Sequence, residues 1–208
     1  MKIKISAPQR MELDKIRVYA ITKLNWIKKN QKKFQLQDRE TQRDLVSNES
    51  HYYLGKRYLL RVIEVDKPAK VILKHSRIEM HLRSGTDTHK RKIILDDWYR
   101  DQLNLVVDSF IDKYEKIMNV KINSSGIRIM KTRWGTCNPD TKRILINLEL
   151  AKKPLSCIEY IVVHEMVHLL ERKHNDRFKA YMDKFMPQWK SYKDELNRLP
   201  LGHRSWGY

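Results

Sequence analysis

Cysteine is scarce in this sequence, and long apolar segments are missing. The two cysteines, Cys137 and Cys157, do not make a disulfide framework. No apolar run approaches the roughly 18–20 residues of a membrane-spanning helix, and residues 1–8 lack the apolar segment of a signal peptide. Repeats and low-complexity linkers are missing as well. These absences exclude disulfide-rich secreted scaffolds and membrane-spanning proteins, and they predict a cytoplasmic protein with no membrane partner.

Acidic residues are few relative to basic ones. The chain of 208 residues has 43 Lys and Arg against 25 Asp and Glu, a net charge of +18. The excess is larger in residues 1–100, with 24 against 12, than in residues 101–208, with 19 against 13. A field of this sign attracts nucleic acid without showing specificity. The charge therefore leaves two interpretations open, a nucleic-acid partner or a solvated basic surface.

The sequence pattern of residues 1–94 predicts a basic helix followed by a small antiparallel sheet. Apolar residues recur at spacings of three and four over residues 10–34, with lysines between them. This helix either packs on a core with a solvated lysine face or lies along a phosphate backbone. Over residues 43–94 the period changes to two, and Gly55 and Pro68 separate short apolar runs into three or four strands. Four histidines of this region have no metal-ligand grouping and are predicted to be structural: His51, His75, His81 and His89.

Residues 95–208 predict a second domain, so that the whole chain is of the α+β class. The pattern there predicts two helices and, between them, two strands joined by a turn. The predicted bounds are 95–117 and 155–172 for the helices, 126–130 and 143–148 for the strands, and 133–140 for the turn. Asn175 or Asp176 can cap a further helix, which Pro187 interrupts before a last one through Leu199.

The most specific pattern is the HExxH run at residues 164–168. Residues four apart on a helix share a face, so His164 and His168 can bind one ion at about 2 Å from each nitrogen. Glu165 lies about 100° around the helix, where it can take a proton from water rather than act as a ligand. This pattern predicts a zinc site with a general base. The competing interpretation is a surface helix that happens to be rich in His and Glu.

A third ligand is predicted at His174, six residues past His168. It completes a three-histidine site if the helix ends soon after Leu170 and the chain turns back. Glu171 is an alternative ligand, ranked below His174 because it would lie within one turn of His168. Cys137 is either a fourth ligand or a small buried thiol, and the buried thiol is favoured.

The helix that carries the motif has a predicted start and an apolar body. Ser156 is predicted to be its N-cap, with Glu159 as the capping-box partner three residues later. The apolar body consists of Ile158, Ile161, Val162, Met166 and Leu169. These residues would hold the histidines in a buried position rather than on a solvated face.

Two motifs together resemble the YgjP-like metallopeptidases, relatives of the SprT and Spartan protease domains. One is the run Arg133-Trp134-Gly135-Thr136-Cys137, and the other is the HExxH run with His174 and Phe178. Residues 53–58 and 200–208 resemble the sheet turn and tail of that family, and residues 2–8 resemble a strand of its N-terminal sheet. The spacing from His168 to His174 matches the metzincins, but the glycine of their turn is absent, so membership there is not expected.

The resemblance implies a zincin-like core, one zinc ion, a polypeptide substrate and hydrolysis of peptide bonds. His164, His168 and His174 match the zinc ligands, and Glu165 matches the general base. Further substrate or transition-state contacts are predicted by residue type alone at Arg133, Trp134, Tyr181 and His203, although a packing role is favoured for Trp134. The strand at residues 144–148 is predicted either to pair with an extended substrate or to be an ordinary core strand.

A function of a different class competes with hydrolysis. The chain could be associated with nucleic acid and hold a structural zinc ion, with weak or no hydrolytic activity. Structural zinc sites are closed by four protein ligands, whereas catalytic sites keep one open position. The two functions can coexist, because the resemblance extends to Spartan-like proteases that cleave proteins attached to DNA.

Overall fold

A computed structural model describes residue 3 and residues 5–36 and 43–200 of the chain. The chain divides into two compact units, one of Gln42–Leu199 and one of Met1–Thr41 with Pro200–Tyr208. The described residues form six α-helices, one 3-10 helix and seven strands, which confirms the α+β class. The predicted domain division at residue 94 stays a prediction. No described helix is long and apolar enough to cross a membrane, and the cytoplasmic location also stays a prediction.

The first helical segment is two helices rather than one. α1 spans Leu13–Thr22 and α2 spans Leu24–Leu36. They are separated at Lys23, whose backbone N–H bonds to the carbonyl of Ala20, three residues back. α1 buries none of its side chains, and both interpretations of the predicted basic helix, packing on a core or lying along a phosphate backbone, stay predictions. The described residues among positions 2–8 lie outside any strand, so the strand expected there is not observed.

A four-stranded sheet follows, and its strands pair differently from the prediction. The strands are β1 at Ser50–Tyr53, β2 at Lys56–Glu64, β3 at Lys70–Leu73 and β4 at Arg77–Leu82. Their order is β1-β2-β4-β3, and β2 pairs with β4 in parallel. The prediction of an antiparallel sheet is therefore wrong for the central pair, β2 and β4. The link at residues 65–69 carries the chain to the outer edge, where β3 forms, and β4 then returns beside β2.

The turn between β1 and β2 is anchored on the segment that precedes the motif helix. The N–H groups of Leu54 and Gly55 donate to the carbonyls of Ala151 and Lys152, at 2.9 and 3.2 Å. Gly55 has φ +78, and a Cβ there would lie 2.9 Å from Pro154 Cγ. This turn needs glycine for both reasons, since the backbone is left-handed and the neighbouring segment leaves no room.

α3 is a long helix over Thr88–Met118. It begins seven residues before the predicted start because Asp87 caps it, accepting a hydrogen bond from the Lys90 N–H at 2.8 Å. Its buried face repeats at spacings of three and four: Leu95, Tyr99, Leu103, Val107, Ile111, Tyr114 and Met118. This face packs on the 3-10 helix at Leu148–Lys152 and on the motif helix.

A second sheet has three strands where the sequence predicted two. They are β5 at Ser124–Arg128, β6 at Gly135–Asn138 and β7 at Arg143–Asn147, in the order β5-β7-β6. β5 and β7 are parallel, and β6 and β7 are antiparallel. The predicted turn at 133–140 therefore contains a strand. β7 is the central strand with a partner on each side, so the prediction that it is the substrate-binding edge is wrong; the edges are β5 and β6.

Three helices complete the described chain. They are α4 at Leu155–Val167, α5 at Asp176–Phe185 and α6 at Trp189–Arg198. The predicted capping box is wrong, because α4 starts directly after Pro154, whose carbonyl accepts from the Cys157 and Ile158 N–H groups. Ser156 instead donates to Glu195 at 3.2 Å. The predicted cap of α5 is confirmed at Asn175, whose side chain accepts from the Phe178 N–H at 3.0 Å.

Candidate metal centre

Three imidazoles meet at the C-terminal end of α4. His164 lies in the last turn of the helix, His168 is its C-cap, and His174 directly precedes the cap of α5. Each offers one ligand atom, and these atoms lie within 4.8 Å of one another; the Nε2 atoms of His164 and His174 are 2.9 Å apart. The helix ends at Val167, earlier than predicted, and the chain then turns back as the three-histidine site requires.

Backbone geometry orients His168. Its Nδ1 lies 3.1 Å from the carbonyl oxygen of Glu171, so a proton on Nδ1 leaves Nε2 as the ligand atom. The Glu171 carboxylate accepts from the Lys173 N–H at 3.1 Å and does not belong to the cluster of ligand atoms. Cys137 does not belong to it either. Glu171 therefore contributes to the site through its backbone carbonyl, which orients His168.

The ring of Phe178 lies against all three histidines. Its centroid is 4.9 Å from those of His164 and His168 and 4.7 Å from that of His174. Phe178 is only 2% exposed, and the Asn175 cap fixes its backbone at the start of α5. This aromatic floor restrains the three imidazoles through direct contact.

The electrostatics of the cluster favour neutral imidazoles. Burial lowers the pKa of His164 to about 3, and the neighbouring His168, His174 and Lys193 act in the same direction. Burial, followed by His168 and Lys193, also lowers the pKa of His174. The buried Nδ1 of His164 has no hydrogen-bond partner among the described residues. Neutral imidazole is the ligand form of histidine, so the donor set fits a divalent metal ion such as zinc.

Glu165 is held in a buried position beside β6. Its side chain is 6% exposed, and burial raises its pKa to about 8, with Arg133 acting in the opposite direction. A Cβ on Gly135 would lie 2.8 Å from the Cγ and the Oε1 of Glu165. The glycine of the 133–137 run is therefore explained by the close approach of this strand to the carboxyl group.

A cleft of about 690 Å³ opens over these residues. α4 contributes Tyr160, Ile161, His164 and Glu165 to its lining, residues 132–139 contribute from β6 and its flanks, and α6 contributes Lys193, Leu196 and Asn197. Arg172 also lines the cleft and pairs with Asp140 in the turn between β6 and β7. The cluster of histidines is thus reached through a groove between an edge strand and a helix.

The remaining predicted site residues have different surroundings. Arg133 and Trp134 line the cleft, and Trp134 also packs against the core. Tyr181 is not among the residues that line it; its ring stacks on Phe185 at 5.9 Å, and its hydroxyl accepts from Arg177 at 3.3 Å. His203 lies outside the described residues.

Two residues of the site were missed by the sequence reasoning. Tyr160, one helical turn before His164, lines the cleft and stacks on Trp189 at 6.5 Å, and burial raises its pKa to about 12. Its spacing from His164 could have identified it. Asn147 is fully buried and donates to the carbonyls of Met130 and Arg133 at 3.0 and 2.8 Å. It fixes the loop that leads into β6, and no local pattern signals this.

The chain was compared with protein-family models, solved structures and curated proteins. A family model described as YgjP-like, metallopeptidase domain, matches residues 1–199. Two solved structures are similar to the chain, both metallopeptidase zymogens. Abylysin of Pyrococcus abyssi is 19% identical with a TM-score of 0.41, over 43% of this chain and 90% of its own. Jannalysin of Methanocaldococcus jannaschii is 17% identical with a TM-score of 0.36, over 45% and 92%. The comparison with curated proteins gave no match.

Proposed function

The chain belongs to the YgjP-like metallopeptidase family and is a metallopeptidase, and from this we propose that it hydrolyses peptide bonds with one zinc ion and Glu165 as general base. The observation that carries the proposal is the convergence of three imidazoles within 4.8 Å beside a buried carboxyl group in one cleft. The proposed ligands are His164, His168 and His174. Three protein ligands would leave one coordination position open, as in catalytic zinc sites.

When bound, zinc would supply Lewis-acid chemistry, polarising a carbonyl oxygen and making water more acidic. Glu165 takes a proton from the attacking water at a carboxylate oxygen and later gives it to the leaving amine nitrogen. Burial raises the pKa of Glu165, which makes its carboxylate a stronger base for the first of these proton transfers. Gly135 lies close to this carboxyl group and, because it has no Cβ, leaves room for it.

β6 is the edge that we propose to pair with the substrate, in place of β7. The carbonyl of Trp134 accepts from the Asn147 N–H at 2.9 Å. Because an antiparallel ladder alternates, the N–H and carbonyl groups of Gly135 and Cys137 point away from β7. An extended peptide can add to this side of β6 by β-augmentation. The close approach of Gly135 to Glu165 supports a cleaved bond near Gly135.

Replacing Glu165 by Gln tests the general base. The variant keeps the size of the side chain but cannot take a proton, so we expect zinc content of one ion per chain and a loss of turnover by about 100-fold to 10,000-fold. Zinc is measured by mass spectrometry of the purified protein, and turnover is measured on unstructured peptides. Unchanged hydrolysis in the variant would refute this role.

Other parts of the sequence prediction belong to the proposal. They are the zincin-like core at residues 95–208, the relation to SprT and Spartan protease domains, and the candidate substrate contacts Arg133 and Trp134, which line the cleft. A structural zinc site is less favoured, since Cys137 and Glu171 lie outside the cluster of ligand atoms and a closed site needs four protein ligands.

The net charge of +18 supports a second candidate, binding of nucleic acid near the site of proteolysis. Phosphate-driven binding weakens steeply with salt, by about 1,000-fold or more between 50 and 200 mM when several phosphates are neutralised. Fluorescence anisotropy with a labelled oligonucleotide measures this dependence. Binding that is absent at 50 mM salt, or that does not change with salt, would remove the candidate.

A further inference from the structure

Positive charge exceeds negative charge among the side chains that line the cleft. The charged side chains that line it are Glu165, Arg133, Arg172 and Lys193. Arg172 is paired with Asp140. Among the described residues, neither Arg133 nor Lys193 forms an ion pair. The Arg133 charge acts on Glu165, and the Lys193 ammonium lies over the Trp189 ring, 5.7 Å from its centroid. Two cations that line the cleft can therefore meet a carboxylate of a ligand without an ion pair being broken.

The two cations come from opposite walls. Arg133 lies just before β6, and its carbonyl accepts from Asn147 Nδ2 at 2.8 Å, so its backbone is fixed relative to the edge strand. Lys193 lies on α6. Lys193 lines the same cleft as His164 and His174.

The direction of β6 relates Arg133 to one end of the substrate. β6 runs from Gly135 to Asn138, and a peptide added antiparallel to it, the slightly more stable pairing, runs from Asn138 toward Gly135. Glu165 contacts the Gly135 end, which is where the bond would be cleaved. Residues after that bond then lie toward Arg133.

We propose that the cleft selects peptides with a carboxylate on the C-terminal side of the cleaved bond, with Arg133 as its contact and Lys193 strengthening the positive field. This rests on the proposed peptide hydrolysis and adds a substrate class to it. A guanidinium group matches a carboxylate in shape and donates two hydrogen bonds to it. The carboxylate comes from an acidic side chain or from the free end of the chain.

Matched peptides test the preference with the zinc-loaded full chain. One set carries Glu, Gln or Lys at the first two positions after the cleaved bond. A second set ends at those positions with a free carboxylate or an amide, which separates the two sources. We expect kcat/KM to be about fivefold higher for Glu than for Gln, and lower for Lys than for Gln. The ratio should shrink toward one at about 0.5 M salt.

Charge-reversed variants assign the preference to the two side chains. Arg133→Glu and Lys193→Glu should each lower the ratio of Glu-peptide to Lys-peptide cleavage by about 5-fold to 25-fold. Their controls are Lys131→Glu in the same loop and Lys190→Glu on the same helix, neither of which lines the cleft. Each control changes the net charge equally, so an equal loss of the ratio in a control would overturn the assignment.

The peptide experiments give different results if carboxylate selection is wrong and if the proposed peptide hydrolysis is wrong. If peptides are cleaved at equal rates whatever their charge, carboxylate selection is wrong and hydrolysis stands. If the wild-type chain cleaves none of them, hydrolysis fails, and calorimetric titration of the Glu165→Gln chain with the Glu and Gln peptides still tests selection through their Kd values. Inhibition by a single-stranded oligonucleotide that Lys193→Glu abolishes would instead assign the cations to phosphate and overturn the proposal.

Discussion

The two sheets share one arrangement of three strands, yet only the second borders the histidine cluster. β2, β3 and β4 lie in the order β2-β4-β3, and β5, β6 and β7 lie in the order β5-β7-β6. In both sets the first and third strands are parallel, and the second is an edge strand antiparallel to the third. The path of the chain therefore does not by itself make a site.

The difference lies in the residues at two equivalent places. The edge strand β3 is Lys-Val-Ile-Leu, whereas the edge strand β6 is Gly-Thr-Cys-Asn, with its glycine against Glu165. In the first sheet, β2 and β4 end with the pair Glu64 and Leu82. In the second sheet, β5 and β7 end with the pair Arg128 and Asn147. Leu82 packs in the core, whereas Asn147 holds a loop. Because small and polar residues lie at these two places, the second sheet can form one wall of the cleft.

The largest effect is expected from Gly135→Ala in β6. Its φ is not in the left-handed region, so the added Cβ acts only by displacing Glu165, which it would approach to 2.8 Å. Because a displacement of about 1 Å can cost about 100-fold in rate, we expect kcat to fall by about that factor with zinc content unchanged. Gly126→Ala in β5 is the control, since its Cβ meets only the flexible end of Leu145 at 3.3 Å. Similar losses in both variants would contradict the role of Gly135.

Asn147→Ala and Leu82→Ala compare the ends of the two central strands. The first leaves the buried carbonyls of Met130 and Arg133 without a donor, so we expect a loss of about 2 kcal/mol in the free energy of unfolding. The second leaves a cavity and costs about 2–5 kcal/mol. Urea unfolding measures both. Only Asn147→Ala should also lower kcat/KM of the folded enzyme, because Asn147 fixes the loop that leads into β6. An equal loss of kcat/KM in Leu82→Ala would show that the two strand ends do not differ in function.

A smaller effect is expected from proline in the edge strands. Cys137→Pro removes an N–H that points away from β7, and loss of one backbone hydrogen bond to substrate should raise KM by about 5-fold to 10-fold. Val71→Pro in β3 is the equivalent change, because Lys74 bonds to Arg77 and the ladder alternates, so the Val71 N–H also faces outward. It should leave KM unchanged. Steady-state kinetics decides, and an unchanged KM with Cys137→Pro would argue against β6 as the substrate edge.

The smallest effect concerns the segment that leads into the second sheet. The Glu115 carboxylate accepts from the Ile122 N–H at 2.7 Å and pairs with Lys121 at 2.9 Å. The Ile122 N–H, followed by Lys121, lowers the pKa of Glu115 below its ordinary 4.5. Its stabilisation is therefore present above the ordinary pKa and lost as the pH falls through the lowered one. Glu115→Gln should cost about 1 kcal/mol at pH 7, and urea unfolding should show this difference narrowing as the pH approaches 3; a constant difference would exclude the linkage.

Helices could be predicted because their period appears in neighbouring residues. The existence of α3 and the positions of α4 to α6 follow from apolar spacing and from breaks such as Pro187. The predicted end of the motif helix at residue 172 was too late. Leu169 and Leu170 continue the apolar pattern, but the chain leaves the helix at His168. Local periodicity does not show that the third histidine needs this turn.

The strand order and the supporting residues of the site could not be predicted, because they depend on partners far away in the chain. Gly135 resembled a turn residue, and its requirement for glycine comes from Glu165, 30 residues later. Asn147 looked like an ordinary residue at a strand end, and its bonds go to residues 14 and 17 positions earlier. A single sequence shows the types of these residues but not the neighbours that give them their roles.

The ring of Phe178 determines when the three proposed metal ligands lose their side-chain entropy. A side chain that is free to rotate loses rotamer entropy when an ion captures it, and that loss lowers the affinity. Here the contacts of Phe178 with His164, His168 and His174 restrict the three rings as α5 packs, so the loss is incurred during folding. The centre is in this respect preorganised, unlike a zinc finger, whose folding depends on the metal. Removal of the ion by a chelator should therefore leave a folded chain that regains zinc without refolding.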